Sequence, residues 1–418
     1  MTSVLSRDAF LITERCVYLN TGWSGPSSTA VVEAMRGRAE REAYDGPTAP
    51  GVRFEKAELV RGVRERAARL IGADVDEIAL TYTTTEGVNT ALRGLVLGPG
   101  DGVLTCNLEH NAVMVPSYYA RLRDGISVRV VRLPSVGETA ASIADEFARA
   151  MTPTAVGPAA GSAPKLLVLS HVSWNRGTRL PMREICETAH GHGALVCVDA
   201  AQSIGHIAFD VRETGCDILA MPGHKWLLGP DGAAFLYVRR GLIERLQPLA
   251  VVHGANRHYD YHGNFDYAND SIHKFELTTH SGPVLAGLTV AMDAALEAGQ
   301  ATIEAHCIGL ADRFVAGLRH IEGVRITTPL DASVRSAMVT FTVGGHNPHE
   351  CAAALWGLDR IVVRVVNDAR VRACFAAFND ETDVDRALAA VERIARGGIP
   401  AGTPSAAEWT AQMRDGED

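Results

Sequence analysis

The stretch from Leu195 to Gly229 holds residue types that can carry out covalent amine chemistry. It places a carboxylate, Asp199, directly after an apolar run, then the amide of Gln202, and later a single lysine, Lys225. A desolvated lysine amine can form an imine with an aldehyde, and a carboxylate can keep a pyridine nitrogen protonated. Pyridoxal 5'-phosphate (PLP) needs both groups from a protein, so the stretch predicts PLP-dependent chemistry on a small amino compound.

The neighbours of Lys225 and Asp199 favour this interpretation over an ordinary one. A lysine is usually an exposed surface residue, but Lys225 follows Pro222-Gly-His and precedes Trp226-Leu-Leu-Gly-Pro, an apolar and Gly/Pro-rich setting. Asp199 alone could cap a helix after a strand. Because a suitable lysine follows it, capping is an insufficient account of Asp199.

A second motif, Thr83-Thr-Thr-Glu-Gly-Val-Asn89, follows a predicted strand and opens a predicted helix. Hydroxyls and unpaired backbone N–H groups at a helix N-terminus can bind a phosphate. Thr84 and Thr85 are therefore candidate phosphate ligands, although threonine is also a common helix cap. His110, after the next strand, is either a residue that stacks on a pyridine ring or a structural histidine.

Composition disfavours several classes of partner. The chain has 418 residues, 47% of them hydrophobic, and its formal net charge of −9 disfavours nucleic acid and anionic membranes as main partners. The eight cysteines form no C-x-x-C pair and most lie in apolar runs, which indicates reduced, buried thiols and no metal site. No signal-peptide pattern and no apolar run of about 18 residues occurs, so we expect a soluble, cytoplasmic protein.

Apolar, strand-like runs alternate with helical patterns along the first part of the chain. The predicted strands begin at Ile78, Gly102, Lys165, Leu195, Ile218 and Ala233. This alternation predicts an α/β fold with a mostly parallel sheet covered by helices on both faces. Ligands of such sheets bind at the carboxyl ends of the strands. The candidate residues at those ends are Thr84, Glu109, His110, His171 and Asp199.

The pattern of the chain changes near residue 282. We predict an N-terminal arm over residues 1–15, a large PLP-binding domain over 16–282, a smaller α+β domain over 283–396 and a frayed polar tail over 397–418. The Pro- and Gly-rich segment 152–164 is predicted to be a surface loop within the large domain.

Several motifs occur in an order that resembles one enzyme family. They are Tyr18-Leu-Asn-Thr-Gly-Trp-Ser-Gly-Pro26, Thr84-Thr-Glu-Gly-Val-Asn89, Glu109-His110, Ser170-His-Val-Ser-Trp174, Asp199-Ala-Ala-Gln202 and Gly223-His-Lys-Trp-Leu-Leu-Gly-Pro230. The chain resembles fold-type I PLP enzymes of the class V aminotransferase superfamily, which includes cysteine desulfurases, isopenicillin N epimerase-like enzymes and cysteine C–S lyases. The resemblance spans about residues 15–396, and the block from Asp199 to Lys225 is its most specific part.

The resemblance implies a role for each matching residue in cofactor binding. Lys225 would form the imine with PLP and later move the α-proton, while Asp199 would pair with the ring nitrogen. Gln202 would contact the phenolic oxygen and His110 would stack on the ring. The residues implied to hold the phosphate are Thr84, Thr85 and His224.

The resemblance also implies a substrate site and a dimer. Arg372, on a C-terminal strand, would bind the substrate carboxylate in a two-pronged contact, unless it is a surface arginine at a strand end. Asn20 and Trp174 are the other candidate substrate-binding residues. The family is typically homodimeric, with a loop of the partner reaching the phosphate, and Thr279 and Ser281 lie in the corresponding segment.

Two departures from the family pattern bear on the reaction. Pro222 stands where many relatives have a phosphate-binding serine. Desulfurases carry a persulfide-forming cysteine between two arginine-containing strands, but the residues between Arg364 and Arg372 include no cysteine, and Cys374 falls inside the predicted strand. We therefore do not expect sulfur transfer through an enzyme persulfide.

These features leave several reactions open. β-Elimination needs a leaving group on Cβ and one base, which Lys225 supplies, so a C–S β-lyase acting on a cysteine S-conjugate is the first hypothesis. Decarboxylation-linked oxidative deamination, transamination and epimerisation are the alternatives, and a PLP-fold binding module is the non-enzymatic one. The segment 253–273, rich in histidine and aromatic residues, could recognise a polar conjugate through Tyr259 or Tyr261.

Overall fold

The structure, a computed structural model, describes residues 3–134, 137–152 and 163–413. Residues 153–162 of the predicted loop over 152–164 lie outside the described residues, and the last two residues of that loop belong instead to β5. The strands in chain order are β1 (Val17–Tyr18), β2 (Ile78–Thr81), β3 (Asp101–Cys106), β4 (Ser127–Val131), β5 (Ala163–Ser170), β6 (Leu195–Asp199), β7 (Ile218–Pro222), β8 (Ala234–Val238), β9 (Asn256–Tyr259), β10 (Phe265–Tyr267), β11 (Val324–Ile326), β12 (Met338–Val343), β13 (Ile361–Val362), β14 (Arg364–Val366) and β15 (Arg370–Cys374).

Helices separate most of these strands. In chain order they are α1 (Thr29–Asp45), α2 (Pro50–Ile71), α3 (Thr84–Gly94), α4 (Asn111–Asp124), α5 (Ala140–Met151), α6 (Met182–Gly191), α7 (Val211–Thr214), α8 (Gly282–Ala298), α9 (Gln300–Leu318), α10 (Pro348–Asp359), α11 (Glu381–Gly397) and α12 (Ala406–Met413). None of the helices in the described residues is long and apolar enough to cross a membrane.

The central sheet has seven strands in the order β2-β8-β7-β6-β5-β3-β4. Only β8 runs antiparallel to its neighbours, and the pairs from β7 through β4 are all parallel. Strands such as β7 are buried along their whole length, which explains their continuous apolar runs. The predicted α/β fold with a mostly parallel sheet is confirmed.

Helix α8 packs on the side of the large sheet, although it falls after the predicted domain boundary at residue 282. Leu285, Leu288 and Met292 of α8 belong to the core that covers this sheet. The close approach of α8 to α1 requires a glycine, because a Cβ on Gly287 would lie 2.6 Å from Cγ of Met35. The division of the chain at residue 282 stays a prediction.

A second, antiparallel sheet of four strands has the order β11-β12-β15-β14 and carries its own apolar core with α9, α10 and α11. The start of the chain joins this core, because β1 pairs with β13 and both Val17 and Leu19 are fully buried there. The N-terminal arm is held in place by a two-pronged ion pair from Arg7 to Asp383, at 2.6 and 2.8 Å.

The tail differs from the expectation of a frayed end. Residues 406–413 form α12, and its first turn is stabilised by a reciprocal pair in which Ser405 N donates to Glu408 and Glu408 N donates to Ser405 Oγ. Trp409 packs against the core of the small sheet. A capped start and one anchoring indole make this short segment helical despite the preceding Gly and Pro residues.

Candidate active site

The carboxyl edge of the parallel strands encloses a cavity of about 210 Å³. The predicted site residues that line it are Thr84, Thr85, His110, Trp174, Asp199, Gln202, His224 and Lys225, together with Thr83, Ala112, Ser170 and Ala201. Because β2, β3, β5, β6 and β7 all end at this edge, residues far apart in sequence meet here, as expected for a parallel sheet.

Lys225 lies in the loop after β7 and reaches into this cavity half-buried. Burial lowers the pKa of its amine to about 8; nearby Asp199 opposes this shift and the Arg372 guanidinium adds to it. Lys225 Nζ has no hydrogen-bond partner among the residues that the structure describes. A sizeable neutral fraction near pH 8 makes this amine a competent nucleophile and base.

The loop of Lys225 is fixed by the N-terminal segment. The backbone N–H of Gly25 donates to the carbonyl oxygen of His224 at 2.7 Å. A Cβ on Gly25 would lie 2.1 Å from the carbonyl oxygen of Lys225, so only glycine permits this approach. The contact explains part of the Gly-rich motif near the N-terminus.

Asp199 ends β6 and is buried in the wall of the cavity. Burial raises the pKa of its carboxyl, and the nearby Lys225 ammonium counters that shift. Its Oδ1 accepts a 2.8 Å bond from the backbone N–H of Ala201. That bond leaves acceptor capacity on the carboxylate for a protonated ring nitrogen.

The amide of Gln202 is held on both sides. Its Nε2 donates to the carbonyl oxygen of Gly22 at 2.7 Å, and its Oε1 accepts from Nε1 of Trp226 at 3.0 Å. His206 stacks on Trp226, with ring centroids 3.7 Å apart. The positioning roles of Trp226 and His206 were not predicted, because their only signal in the sequence is an apolar context.

The N-terminus of α3 forms the polar end of the cavity. Thr83 caps the helix by accepting from the backbone N–H of Glu86 at 3.1 Å, so its hydroxyl oxygen is engaged. The Oγ1 of Thr84 is buried and without a hydrogen-bond partner. His224 lies with Nδ1 3.6 Å from Asp231 Oδ1. An unsatisfied hydroxyl beside free helix amides suits a phosphate group.

His110 begins α4 and accepts from the backbone N–H of Ala112 through Nδ1 at 3.2 Å. Burial lowers the pKa of His110 to about 4, with Lys225 and two arginines adding to that shift. The ring is therefore neutral near pH 7. Its edge contacts Trp174, with centroids 5.3 Å apart.

Glu109 precedes His110 and connects the ends of β3 and β5 through hydrogen bonds. Its carboxyl group accepts from the backbone N–H of Ser170 at 3.0 Å, from Ser170 Oγ at 2.5 Å and from Cys106 Sγ at 3.2 Å. Burial raises the pKa of Glu109 to about 7, and the Ser170 bonds counteract that shift. The residue shapes the wall of the cavity without lining it.

Arg372 lies behind the cavity wall and is almost fully buried. Its Nη1 donates to the carbonyl oxygen of Trp174 at 2.7 Å, its Nη2 lies 3.4 Å from Asn20 Oδ1, and its Nε has no partner. Arg372 does not line the cavity of Lys225, but its charge acts on that lysine. An incompletely satisfied buried guanidinium is suited to hold a carboxylate.

An outer cavity of about 510 Å³ adjoins the inner one, and His224 lines both. Asn20 and Trp23 line the outer cavity from the N-terminal segment, and Gln412 and Met413 line it from α12. The guanidinium of Arg364 lies over the ring of Trp23 at 3.9 Å. The contribution of α12 was not predicted from the sequence.

Thr279 and Ser281 do not line either cavity within the described chain. The hydroxyl of Ser281 caps α8, and Thr279 has a positive φ of 76°. Tyr259 and Tyr261, on the β9–β10 hairpin, are 53% and 96% exposed. The roles predicted for these four residues stay predictions, and those for Thr279 and Ser281 require a second subunit.

All eight cysteines are buried and unpaired. Cys374 is fully buried in β15, and the turn between β14 and β15 contains no thiol. The observed site therefore presents an amine, a carboxylate, an amide and hydroxyls, and no accessible sulfur nucleophile. This donor set fits PLP, with Lys225 for the aldehyde, Asp199 for the ring nitrogen and Thr84 for the phosphate.

Comparison with known proteins identifies the family. A profile described as "Aminotransferase class-V" matches residues 28–387. A probable cysteine desulfurase of Methanothermobacter thermautotrophicus is 32% identical over an alignment that covers 87% of this chain and 86% of the relative. A probable cysteine desulfurase of Halalkalibacterium halodurans is 30% identical over an alignment that covers 90% of this chain and 92% of the relative. The solved structure of the cystine C–S lyase C-DES with its product cysteine persulfide has 25% identity, a TM-score of 0.82, and coverage of 92% of this chain and 99% of its own.

A C-DES variant of 25% identity and TM-score 0.80, covering 93% of this chain and 99% of its own, contains glycine covalently linked to PLP. The shared fold, the matching profile and the residues that fit PLP agree with one another. The chain belongs to the class V aminotransferase family of PLP-dependent enzymes.

Proposed function

We propose that the protein is a C–S β-lyase that cleaves the Cβ–S bond of a cysteine S-conjugate and gives a thiol, pyruvate and ammonia. The similar proteins are named for desulfuration of cysteine or C–S cleavage of cystine, which supports sulfur chemistry on a cysteine-like amino acid. The partner implied by the site is a small amino acid.

The choice of a lyase over a desulfurase rests on where the thiols lie. A desulfurase that passes sulfur to its own cysteine needs an accessible thiol near the substrate. Here the turn between Arg364 and Arg372 has none, and Cys374 is 0% exposed. The sulfur is therefore expected to leave with the group attached to it.

The residues of the site can support such an elimination. PLP supplies an electron sink that stabilises negative charge at the substrate Cα. Arg372, bonded to Asn20 behind the cavity wall, would hold the substrate carboxylate and so keep the substrate beside Lys225. The Lys225 amine takes the Cα proton, the Cβ–S bond breaks with its electron pair on sulfur, and the sulfur leaves as a thiol after protonation. With one water, the remaining carbon skeleton becomes pyruvate and ammonia.

A homodimer is part of this proposal. Helices α1 and α2 expose Val32, Tyr44 and Phe54, which are 53%, 88% and 67% exposed. Burial of these side chains against a second copy would also allow Thr279 and Ser281 to reach the partner's phosphate site. Light scattering on the purified protein should give twice the chain mass; a monomer with full activity would contradict the dimer. A cytoplasmic location is likewise proposed, and the unpaired thiols support it.

Product analysis tests the reaction. The PLP-loaded enzyme is incubated with S-methylcysteine, cystine and cysteine, and pyruvate, ammonia, thiol and alanine are quantified. We expect pyruvate and thiol in equal amounts from S-methylcysteine, with activity lost in Lys225→Ala and retained in Cys374→Ala. Alanine with a persulfide that depends on Cys374 would instead indicate a desulfurase. An aldehyde with carbon dioxide, a racemised amino acid, or no product from any amino acid would also refute the lyase.

A further inference from the structure

A separate cavity of about 410 Å³ lies between loops of the large sheet and the small antiparallel sheet. We call it the arginine pocket, and the polar residues in its wall include Asn107, Asn175, Arg176, Arg325, Thr327 and Arg370. None of these residues lines the cavity of Lys225. The chemistry derived above does not use them.

The arginine pocket contains positive charge that no carboxylate of the described residues pairs with. Arg176 is paired with the buried Glu138, at 2.7 and 3.1 Å. Arg325 and Arg370 have no carboxylate partner within the described part of the chain. Burial lowers the pKa of Arg370, and the charges of Arg176 and Arg325 lower it further. An anion in the pocket would relieve this crowding of like charges.

An unsatisfied amide faces the same space. Asn175 is 6% exposed, and its Oδ1 has no hydrogen-bond partner. Because the two ends of an asparagine amide can exchange places, this side chain can offer a donor to a bound group. Asn107 accepts from the backbone N–H of Leu133 at 3.0 Å through Oδ1, which leaves its NH₂ group available. A buried polar atom such as Oδ1 of Asn175 normally has a hydrogen-bond partner.

The arginine pocket lies along the same sheet face as Arg372. Arg370 and Arg372 are two residues apart on β15, so their side chains share one face and stand about 7 Å apart along the strand. Arg325 lies on β11 opposite Thr342 of β12, which is next to β15 in the sheet. The pocket is therefore one strand repeat away from the arginine that would hold the substrate carboxylate.

We propose that the arginine pocket binds the oxyanion of a small molecule, a carboxylate or a phosphate, through Arg325, Arg370 and Asn175. Two guanidinium groups that pair with no carboxylate in residues 3–134, 137–152 and 163–413, together with a buried amide, form the donor set that such a group requires. The oxyanion has two possible sources. It belongs either to the far end of the substrate or to a separate small anion, and only the first source rests on the proposed lyase function.

Calorimetric titration of the PLP-loaded enzyme at low ionic strength tests the binding. Inorganic phosphate and succinate are the probes, and the bound cofactor keeps phosphate out of the site of Thr84. We expect saturable binding of at least one probe, about tenfold or more weaker in the Arg325→Gln/Arg370→Gln variant. Arg319→Gln, an exposed arginine of the same domain, should bind as the wild type does.

Equal binding by the double variant, or no saturable binding of either probe to the wild type, would overturn the proposal. If substitution of Arg370 prevents folding, the single variant Arg325→Gln, at an exposed residue, is titrated instead. We expect it to bind the probe at least threefold more weakly than the wild type does. Neither measurement involves turnover, so failure of the lyase reaction leaves this test intact.

Kinetics then separate the two sources of the oxyanion. If it is the far end of the substrate, the double variant raises the KM of S-carboxymethylcysteine several-fold and leaves that of S-methylcysteine unchanged. If it is a separate anion, both KM values stay unchanged while binding of the probe is still lost. Either pattern supports the pocket, provided that the titration has shown saturable binding that depends on the arginines.

Discussion

Nε1 of Trp226 donates a 3.0 Å hydrogen bond to Oε1 of Gln202, and this bond joins the loop of Lys225 to the segment that follows β6. The other end of the Gln202 amide donates to the carbonyl oxygen of Gly22 at 2.7 Å, so two separate parts of the chain fix its orientation. Gln202 lines the inner cavity, so its amide is held in a fixed orientation there. Trp226 therefore acts through Gln202 and is a positioning residue.

Replacement of Trp226 by phenylalanine should alter cofactor binding. The change leaves a buried amide oxygen without its donor, at a cost of about 1–3 kcal/mol. We expect PLP affinity to fall several-fold and the visible absorption maximum of bound PLP to shift, as measured by spectral titration. Trp356→Phe, where the indole packs under Arg360 at 4.2 Å, is the matched control and should not alter the spectrum. An unaltered spectrum in Trp226→Phe would contradict the role.

Uptake of PLP by the apoenzyme should depend on the protonation of Lys225. Its pKa is lowered from 10.5 to about 8, so the neutral, nucleophilic amine accumulates as the pH rises through 8. The rate of appearance of visible absorption should increase between pH 7 and pH 9 and then level off. Lys225→Ala should give no adduct that borohydride can fix. A midpoint near 10.5 would show that the amine is not desolvated.

Glu109 should make the fold more stable at lower pH. Its pKa is about 7 in the folded chain against an ordinary 4.5, so the folded state holds this proton more tightly than the unfolded state does. That stabilisation is complete below about pH 4.5 and is lost as the pH rises through 7. It amounts to at most about 3 kcal/mol.

The Glu109→Gln variant tests whether stability falls as the pH rises. Urea unfolding of the wild type and the variant between pH 5 and pH 8 should show the wild type losing stability relative to the variant as the pH rises. Glu14→Gln, an exposed site, serves as the control and should track the wild type. A difference between Glu109→Gln and the wild type that is constant with pH would contradict the raised pKa.

Removal of residues 405–418 should widen the outer cavity, because Gln412 and Met413 form part of its wall. We expect kcat/KM for S-benzylcysteine to rise several-fold relative to that for S-methylcysteine. Loss of the Trp409 contact should lower stability by about 1–3 kcal/mol. Met413→Ala should reproduce a smaller change in selectivity, and Ala407→Ser, on the exposed side of α12, should have none. Unchanged selectivity in the truncated enzyme would show that α12 does not contribute to substrate selection.

Much of the inner cavity could be predicted from the sequence because its residues lie in short local motifs. Lys225, Asp199 and Gln202 share one continuous stretch, and Thr84 and His110 follow recognisable strands. The parallel sheet then determines that these strand ends meet. Periodicity and turn residues are sufficient to predict such a sheet.

The contacts that join distant segments could not be predicted in the same way. Gly22 meets Gln202, and Arg372 meets Trp174, only because two sheets pack together, and no local pattern encodes that packing. α12 was missed because its helical signal is short and its stability comes from the Trp409 contact. The phosphate contacts predicted for Thr279 and Ser281 involve a second subunit, so they have no signal within one chain.

The burial of Val17 and Leu19 among C-terminal helices and strands has a consequence for biosynthesis. These apolar residues leave the ribosome well before β13, the strand that pairs with β1, has been synthesised. Until then the nascent chain must keep them from non-native association. The core of the four-stranded sheet can therefore be completed only after β13 has left the ribosome, and association with chaperones should be greatest before that point.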